Sequence, residues 1–126
     1  MTTNKFSLKS RIGSFKFAFN GLKLLIQNEH NSRIHLLAAF LATGTGLLLR
    51  INLSEWSILV IVIGLVFVSE LFNSSLESLS DIVDNKWNGQ IKKTKDFAAA
   101  AVLVSAIISA VTGGLIFIPK ILDLIK

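Results

Sequence analysis

The stretch FAAAAVLVSAIISAVTGGLIFI, residues 97–118, contains 22 residues and not one charge. A helix needs about 20 predominantly apolar residues to span the hydrocarbon core of a bilayer, so this stretch is long enough to cross a membrane unaided. Within it, small residues recur every four positions at Ala101, Ser105, Ser109 and Gly113. Small side chains at this spacing allow close helix approach in lipid, which predicts a packing face. We expect Pro119 to end this helix.

Two further apolar stretches precede it in the chain. One runs from Ile34 to Leu49, and the other begins at Trp56 and continues with mixed polarity as far as Asp84. Each must include polar residues at one end to reach spanning length. Trp56 falls at a membrane boundary, where indole rings are enriched. The sequence therefore predicts an all-α integral membrane protein with three transmembrane helices, over about residues 30–50, 55–84 and 95–118.

The composition of the whole chain agrees with a membrane protein. Of its 126 residues, 52% are hydrophobic and only 17% are charged, against roughly 25% charged in soluble domains. A chain of this length has too little interior to bury so many apolar side chains in water. The net charge of +5 on so apolar a chain favours anionic lipid over nucleic acid as the partner. With no cysteine present, disulfides and thiol chemistry are excluded. The length and composition predict a single membrane domain over residues 1–126.

A different kind of helix is predicted over about residues 6–28. Apolar residues spaced by three or four share one helical face: Ile12, Phe15, Phe19, Leu22 and Ile26. Lys9, Lys16 and Lys23 flank that face, where long side chains can reach lipid phosphates. The pattern favours an amphipathic helix in the plane of the membrane surface. An amphipathic helix buried in a bundle is the alternative.

The basic residues predict the orientation of the chain in the membrane. Ten of the 13 Lys and Arg lie before the first span or between the second and third spans. With three spans these two segments share one side, which the positive-inside rule assigns to the cytoplasm. Only Arg50, Lys120 and Lys126 fall on the opposite side.

A line of polar residues follows the apolar part of the second span. Its members are spaced by three or four and fall within an arc of about 80° on a helix: Glu70, Asn73, Glu77, Asp81 and Asp84. A solvated helix end would explain Asp81 and Asp84. It does not explain Glu70, which directly follows the apolar run and should lie at the hydrocarbon boundary. An ionisable group at that depth is costly and indicates a functional site.

The residue types in this line favour phosphoryl transfer. Mg²⁺ takes one or two protein carboxylates and completes its shell with water and substrate phosphates. Glu29 can reach the same interface from the junction before the first span, and Lys95 and Asp96 precede the third. Acids, a lysine and Mg²⁺ at a lipid boundary suit transfer from a cytoplasmic nucleotide to a membrane hydroxyl. The glycines at 44 and 46 lie inside the first span, so we expect no P-loop.

The run ELFNSSLESLSD, residues 70–81, resembles the signature of the prokaryotic diacylglycerol kinase family, which includes undecaprenol kinases. The resemblance extends in collinear order to FNGL at 19–22, NE at 28–29, RIH at 33–35 and KDFAAAAVL at 95–103. It covers the chain from about Phe15 to Ile118.

The resemblance implies a homotrimer in the bacterial inner membrane, with active sites shared between subunits and facing the cytoplasm. It implies an enzyme that uses ATP and Mg²⁺ to phosphorylate the primary hydroxyl of diacylglycerol or undecaprenol. The residue matching the family's base is Glu70. Glu29 and Glu77 match those that hold the divalent ion on ATP, and Lys95 and Asp96 match the pair that contacts the nucleotide.

Other positions carry expectations of their own. Lys86-Trp87-Asn88 replaces a Glu-Tyr pair common in the family, so Trp87 and Asn88 are expected near the nucleotide, with the charge inverted at Lys86. We expect Asn73 to position the acceptor or Glu70, and we count Arg33 and Trp56 among the lipid contacts. His35 replaces a glutamate of some members and is either a structural, hydrogen-bonded histidine or a substrate contact.

Two functions from other classes are weighed against a kinase. A small homo-oligomeric transporter could use Glu70 as a proton or cation site, and a structural membrane oligomer would need no acid there. Neither requires Asn73, Glu77 and Asp81 in register, nor Lys95 and Asp96 facing them.

Overall fold

The computed structural model describes residues 6–83, 86 and 88–126 of the chain. Within these residues the chain forms helices α1 (Leu8–Asn28), α2 (His30–Leu48), α3 (Leu53–Val83) and α4 (Gly89–Ile125), with no strand. The prediction of an all-α protein is confirmed. Asp84 and Trp87, both singled out from the sequence, lie outside the described residues, as does Lys5.

Helices α3 and α4 are the two described helices that are long and apolar enough to cross a membrane. Only 22% and 11% of their most apolar segments are buried within the chain. The core helix of a soluble protein would be mostly covered, so these exposed apolar surfaces are typical of a membrane protein. Helix α2 is less apolar because its first turns carry His30, Asn31, Ser32, Arg33 and His35, and its crossing of the membrane stays a prediction.

Helix α4 continues beyond Pro119 and ends at Ile125. The prediction that Pro119 ends this helix was wrong. Proline removes one backbone hydrogen bond, a loss that apolar helices tolerate when neighbouring contacts hold the chain in place. Here Lys120 Nζ lies 3.1 Å from Glu55 Oε2 of α3, so an ion pair joins the two helices directly after the proline.

The small residues of α4 pack against α3, as predicted. Ser105 Oγ lies 2.6 Å from Ser69 Oγ, and Ser109 Oγ donates to the backbone carbonyl of Val62 at 3.0 Å. Interhelical hydroxyl contacts of this kind, made possible by small side chains, hold helices together where lipid supplies no hydrophobic drive.

The apolar stripe of α1 is left uncovered by the chain. Ile12, Phe15 and Phe19 are 71%, 65% and 67% exposed, and α1 contributes only Leu25 to the buried residues. An apolar surface of this extent indicates contact with a membrane or another chain, which supports the surface-helix interpretation over burial within a single-chain bundle.

The turn from α2 to α3 is tightly built at the end of the bundle opposite Glu70. Asn52 and Glu55 form a reciprocal capping box. The backbone N–H of Asn52 donates to Oε2 of Glu55 at 2.8 Å, and the backbone N–H of Glu55 donates to Oδ1 of Asn52 at 2.9 Å. Arg50 adopts a φ of 51°, which reverses the chain. Ile51 joins a core cluster with Leu59, and Trp56 packs against the same cluster.

Gly46 allows this turn to close, and its replacement tests the packing. A Cβ at Gly46 would lie 3.0 Å from both Ile51 Cδ1 and Trp56 Cη2, whereas a Cβ at Gly44 would meet nothing within 4 Å. Both glycines are in α2, so alanine gains about the same helix propensity at either position. This gain therefore drops out of the difference in stability between the two variants. We expect Gly46→Ala to be about 1–3 kcal/mol less stable than Gly44→Ala because of overpacking. Thermal unfolding in detergent measures the difference, and equal melting temperatures would contradict it.

Candidate active site

Glu70 is a buried carboxylate on α3, and its side chain is only 3% exposed. Oε1 of Glu70 lies 3.2 Å from Nε2 of His35 on α2. The imidazole N–H does not point along this line, and Oε1 accepts no hydrogen bond from the described residues. Burial of a carboxylate without a full set of partners is costly. The residue that the sequence singled out is therefore placed in the kind of environment that indicates function.

Further polar atoms around Glu70 are buried without hydrogen-bond partners among the described residues. They are Oδ1 of Asn73 and Oγ of Ser74 on α3, and Oγ of Ser32 on α2. Ser32 precedes His35 by about one helical turn and Ser74 follows Glu70 by about one turn. Because α2 and α3 run antiparallel, the two serines lie at a similar level. Unsatisfied buried groups in one region of a native protein call for a ligand or a further contact.

No separate signal in the sequence pointed to Ser32. It is completely buried, but it lies in a polar segment, HNSRIH at 30–35, where an isolated serine is ordinary. Only its complete burial in the fold distinguishes it from its neighbours.

Glu29 is brought to the same end of the bundle by the break between α1 and α2. Its backbone is extended, with φ −107° and ψ 115°, so the chain changes direction there. Glu29 lines a cavity of about 330 Å³ between α1 and α3, together with Ser74, Ser75 and Ser78. The expectation that Glu29 reaches the polar part of α3 agrees with this placement.

Arg33 fixes the junction between α1 and α2. Its Nε donates to the carbonyl of Ile26 at 2.8 Å, and its Nη2 donates to the carbonyl of Gln27. The guanidinium therefore satisfies carbonyls that the end of α1 leaves without helical partners. A lipid contact of Arg33, expected from the sequence, stays a prediction beside this structural role.

The first turns of α4 lie beside the polar line of α3. Lys95 Nζ is 2.6 Å from Asp81 Oδ1, and the charge of Glu77 also acts on Lys95. Lys92 and Asp96, both largely exposed, form an ion pair at 2.6 Å. The structure thus engages both Lys95 and Asp96 in ion pairs near the start of α4, and their contact with a nucleotide stays a prediction.

Two other predicted site residues have different surroundings. Asn88 caps α4, its Oδ1 accepting from the backbone N–H of Gln90 at 2.9 Å. Trp56 lies about 21 Å from Glu70 along α3 and packs at the α2–α3 turn. The structure therefore does not bring Trp56 together with Glu70.

Glu29 and Glu77, which the resemblance matches to the residues that hold the divalent ion, lie on different elements, one between α1 and α2 and the other on α3. Among the described residues no group of three or more His, Asp or Glu could hold a metal. Glu29 and Glu77 are both half-buried, and neither forms an ion pair within that part of the chain. Mg²⁺ needs only one or two protein carboxylates when phosphates and water supply the other ligands. The binding of such an ion by Glu29 and Glu77 stays a prediction.

Comparison with known proteins identifies the family of this chain. The sequence model of the family described as prokaryotic diacylglycerol kinase matches residues 16–117. An undecaprenol kinase of Bacillus subtilis is 37% identical over 108 residues, covering 86% of this chain and 88% of that protein. A diacylglycerol kinase of Synechocystis is 32% identical over 112 residues, covering 88% of this chain and 64% of that protein.

A diacylglycerol kinase of Escherichia coli is 25% identical over 120 residues, covering 89% of this chain and 92% of that protein. The match to the family includes α2 and α3 entirely, and with them Glu29, His35, Glu70 and Glu77. This chain belongs to the prokaryotic diacylglycerol kinase family, a family of lipid kinases.

Proposed function

We propose that this protein transfers the γ-phosphate of ATP to the primary hydroxyl of a membrane lipid, with Glu70 as the base. The acceptor is diacylglycerol, giving phosphatidic acid, or undecaprenol, giving undecaprenyl phosphate. The observation that carries the proposal is the buried Glu70, with an unsatisfied Oε1, at the end of the apolar part of α3. Relatives named as kinases for each of these lipids support it.

In the proposed reaction, Glu70 takes the proton of the lipid hydroxyl as the oxygen attacks the γ-phosphorus, and ADP leaves. A carboxylate at the water–lipid boundary can reach a hydroxyl that is anchored in the bilayer, and it positions that hydroxyl for in-line attack. Asn73, whose Oδ1 is buried and unsatisfied, holds the acceptor or Glu70.

The nucleotide is proposed to lie between the α1–α2 junction and the first turns of α4. Glu29 and Glu77 hold the magnesium ion carried by ATP, an ion that offsets charge on the phosphates when bound. Lys95 exchanges its contact with Asp81 for a phosphate oxygen, an exchange of modest cost because Asp81 is exposed. Asp96, Trp87 and Asn88 complete the nucleotide contacts in this proposal.

The membrane arrangement forms part of the same proposal. Helices α2, α3 and α4 cross the bacterial inner membrane, and α1 lies on its cytoplasmic surface. The largely exposed apolar segments of α3 and α4 support contact with lipid and with other copies of the chain, and we propose a homotrimer with shared active sites. The excess of basic residues before the apolar part of α2 and between α3 and α4 supports a cytoplasmic site.

Phosphate transfer to lipid tests the proposal directly. The detergent-purified protein is given radiolabelled ATP and Mg²⁺ with diacylglycerol or undecaprenol in parallel. We expect label in one lipid, which identifies the acceptor, and label in both would indicate a permissive pocket. No label in either, with Glu70→Gln behaving as wild type, would overturn the kinase and favour transport through Glu70.

A further inference from the structure

We propose that His35 is a positioning residue for Glu70. In this proposal the Nε2–H of His35 holds Oε1 of Glu70, leaving Oε2 free to receive the proton of the lipid hydroxyl. The catalytic part of this inference rests on the proposed function, whereas the pairing of His35 with Glu70 does not.

The first argument is the scarcity of partners for Glu70. Its carboxylate is almost fully buried, and His35 is the basic side chain within ion-pair distance among the described residues. Arg33 on the same helix is turned to the carbonyls at the end of α1, and Lys95 on α4 is paired with Asp81. A buried carboxylate needs a donor, and His35 is placed to supply it.

The second argument is the room available to the imidazole. The His35 side chain is 23% exposed, and it borders an apolar cavity of about 170 Å³ between α2, α3 and α4. The wall that α2 contributes after His35 consists of Ala38, Ala39 and Ala42, and α3 contributes larger side chains such as Val66 and Phe67. Nε2 and Oε1 are already 3.2 Å apart, so the two atoms are within hydrogen-bond distance and only the direction of the donor must change. Such hydrogen bonds often tighten only when substrate binds.

Three variants separate this role from a structural one. His35→Leu removes the donor and keeps an apolar side chain of similar size. His35→Gln keeps an N–H donor near the place of Nε2 without a titratable ring. His30→Leu is the matched control, because His30 is an exposed histidine at the start of the same helix.

We expect His35→Leu to lower kcat by about 10- to 100-fold, the effect of losing a hydrogen bond to a charged group, with the KM for ATP changed by less than about 2-fold. His35→Gln should recover most of the lost kcat, and His30→Leu should match wild type. A kcat for His35→Leu within 2-fold of wild type, or one for His35→Gln as low as that of His35→Leu, would overturn the positioning role.

Thermal unfolding in detergent tests the pairing without reference to catalysis. His35→Leu should lower the melting temperature because it leaves the buried carboxylate without the basic side chain 3.2 Å from it, and the further change Glu70→Gln should recover part of the loss. Residues in contact give non-additive effects on stability. If the change in melting temperature of the double variant equals the sum of the changes in the two single variants, the pairing is overturned. A wild-type protein without kinase activity but with this coupling would instead overturn only the proposed function.

Discussion

Glu70→Gln is expected to lower kcat by about 10²- to 10⁴-fold, the usual contribution of a positioned general base. Glutamine keeps the shape of the side chain and its place beside His35, but it cannot accept the proton of the lipid hydroxyl. Folding and nucleotide binding should persist. Glu70 lies in the buried region between α2 and α3, whereas the proposed nucleotide contacts are made by other residues, among them Glu29 and Glu77. Steady-state kinetics with radiolabelled ATP, together with the Kd for Mg²⁺–nucleotide, measures both parts.

Glu55→Gln is the matched control for Glu70→Gln. Glu55 is a carboxylate on the same helix, but it lies at the opposite end, where it caps α3 and pairs with Lys120. We expect Glu55→Gln to lower the melting temperature while kcat stays within about 2-fold of wild type, because an effect on packing alone does not touch the chemistry. A Glu70→Gln variant that keeps more than a tenth of the wild-type kcat would contradict the assignment of Glu70 as the base.

Glu77→Gln is expected to weaken nucleotide binding in the presence of Mg²⁺ by about 100-fold. The expected loss is typical of removing one member of a desolvated charge pair, because Glu77 is proposed to meet the magnesium ion directly. With Mg²⁺ removed by chelation, wild type and variant should bind nucleotide equally weakly. Titration of nucleotide at several Mg²⁺ concentrations measures the difference.

The comparison between the two glutamate variants tests the division of their roles. Glu70→Gln should retain Mg²⁺-dependent nucleotide affinity and lose turnover, whereas Glu77→Gln should lose affinity first. An equal loss of nucleotide binding in both variants would show that the two carboxylates act on the same ligand, contrary to the proposal.

Much of the fold follows from patterns along single helices. The uncharged run at 97–118 indicated the apolar part of α4, and the amphipathic spacing before Asn28 indicated α1. The same reasoning indicated Glu70, because a charge directly after an apolar run is visible without knowledge of any neighbouring helix. It failed at Pro119, where α4 continues to Ile125, because tolerance of a proline in an apolar helix depends on neighbouring helices, and their contacts leave no local signal.

By itself the sequence determined the all-α class, the apolar helices and the line of acids on α3, since each depends on spacing within one element. Only the tertiary structure decided that His35 meets Glu70, that Lys95 meets Asp81 and that Gly46 lies under Trp56. Periodicity shows which residues share a face, but the rotation of one helix against another is set by side-chain packing between them. That rotation brought His35 beside the buried carboxylate.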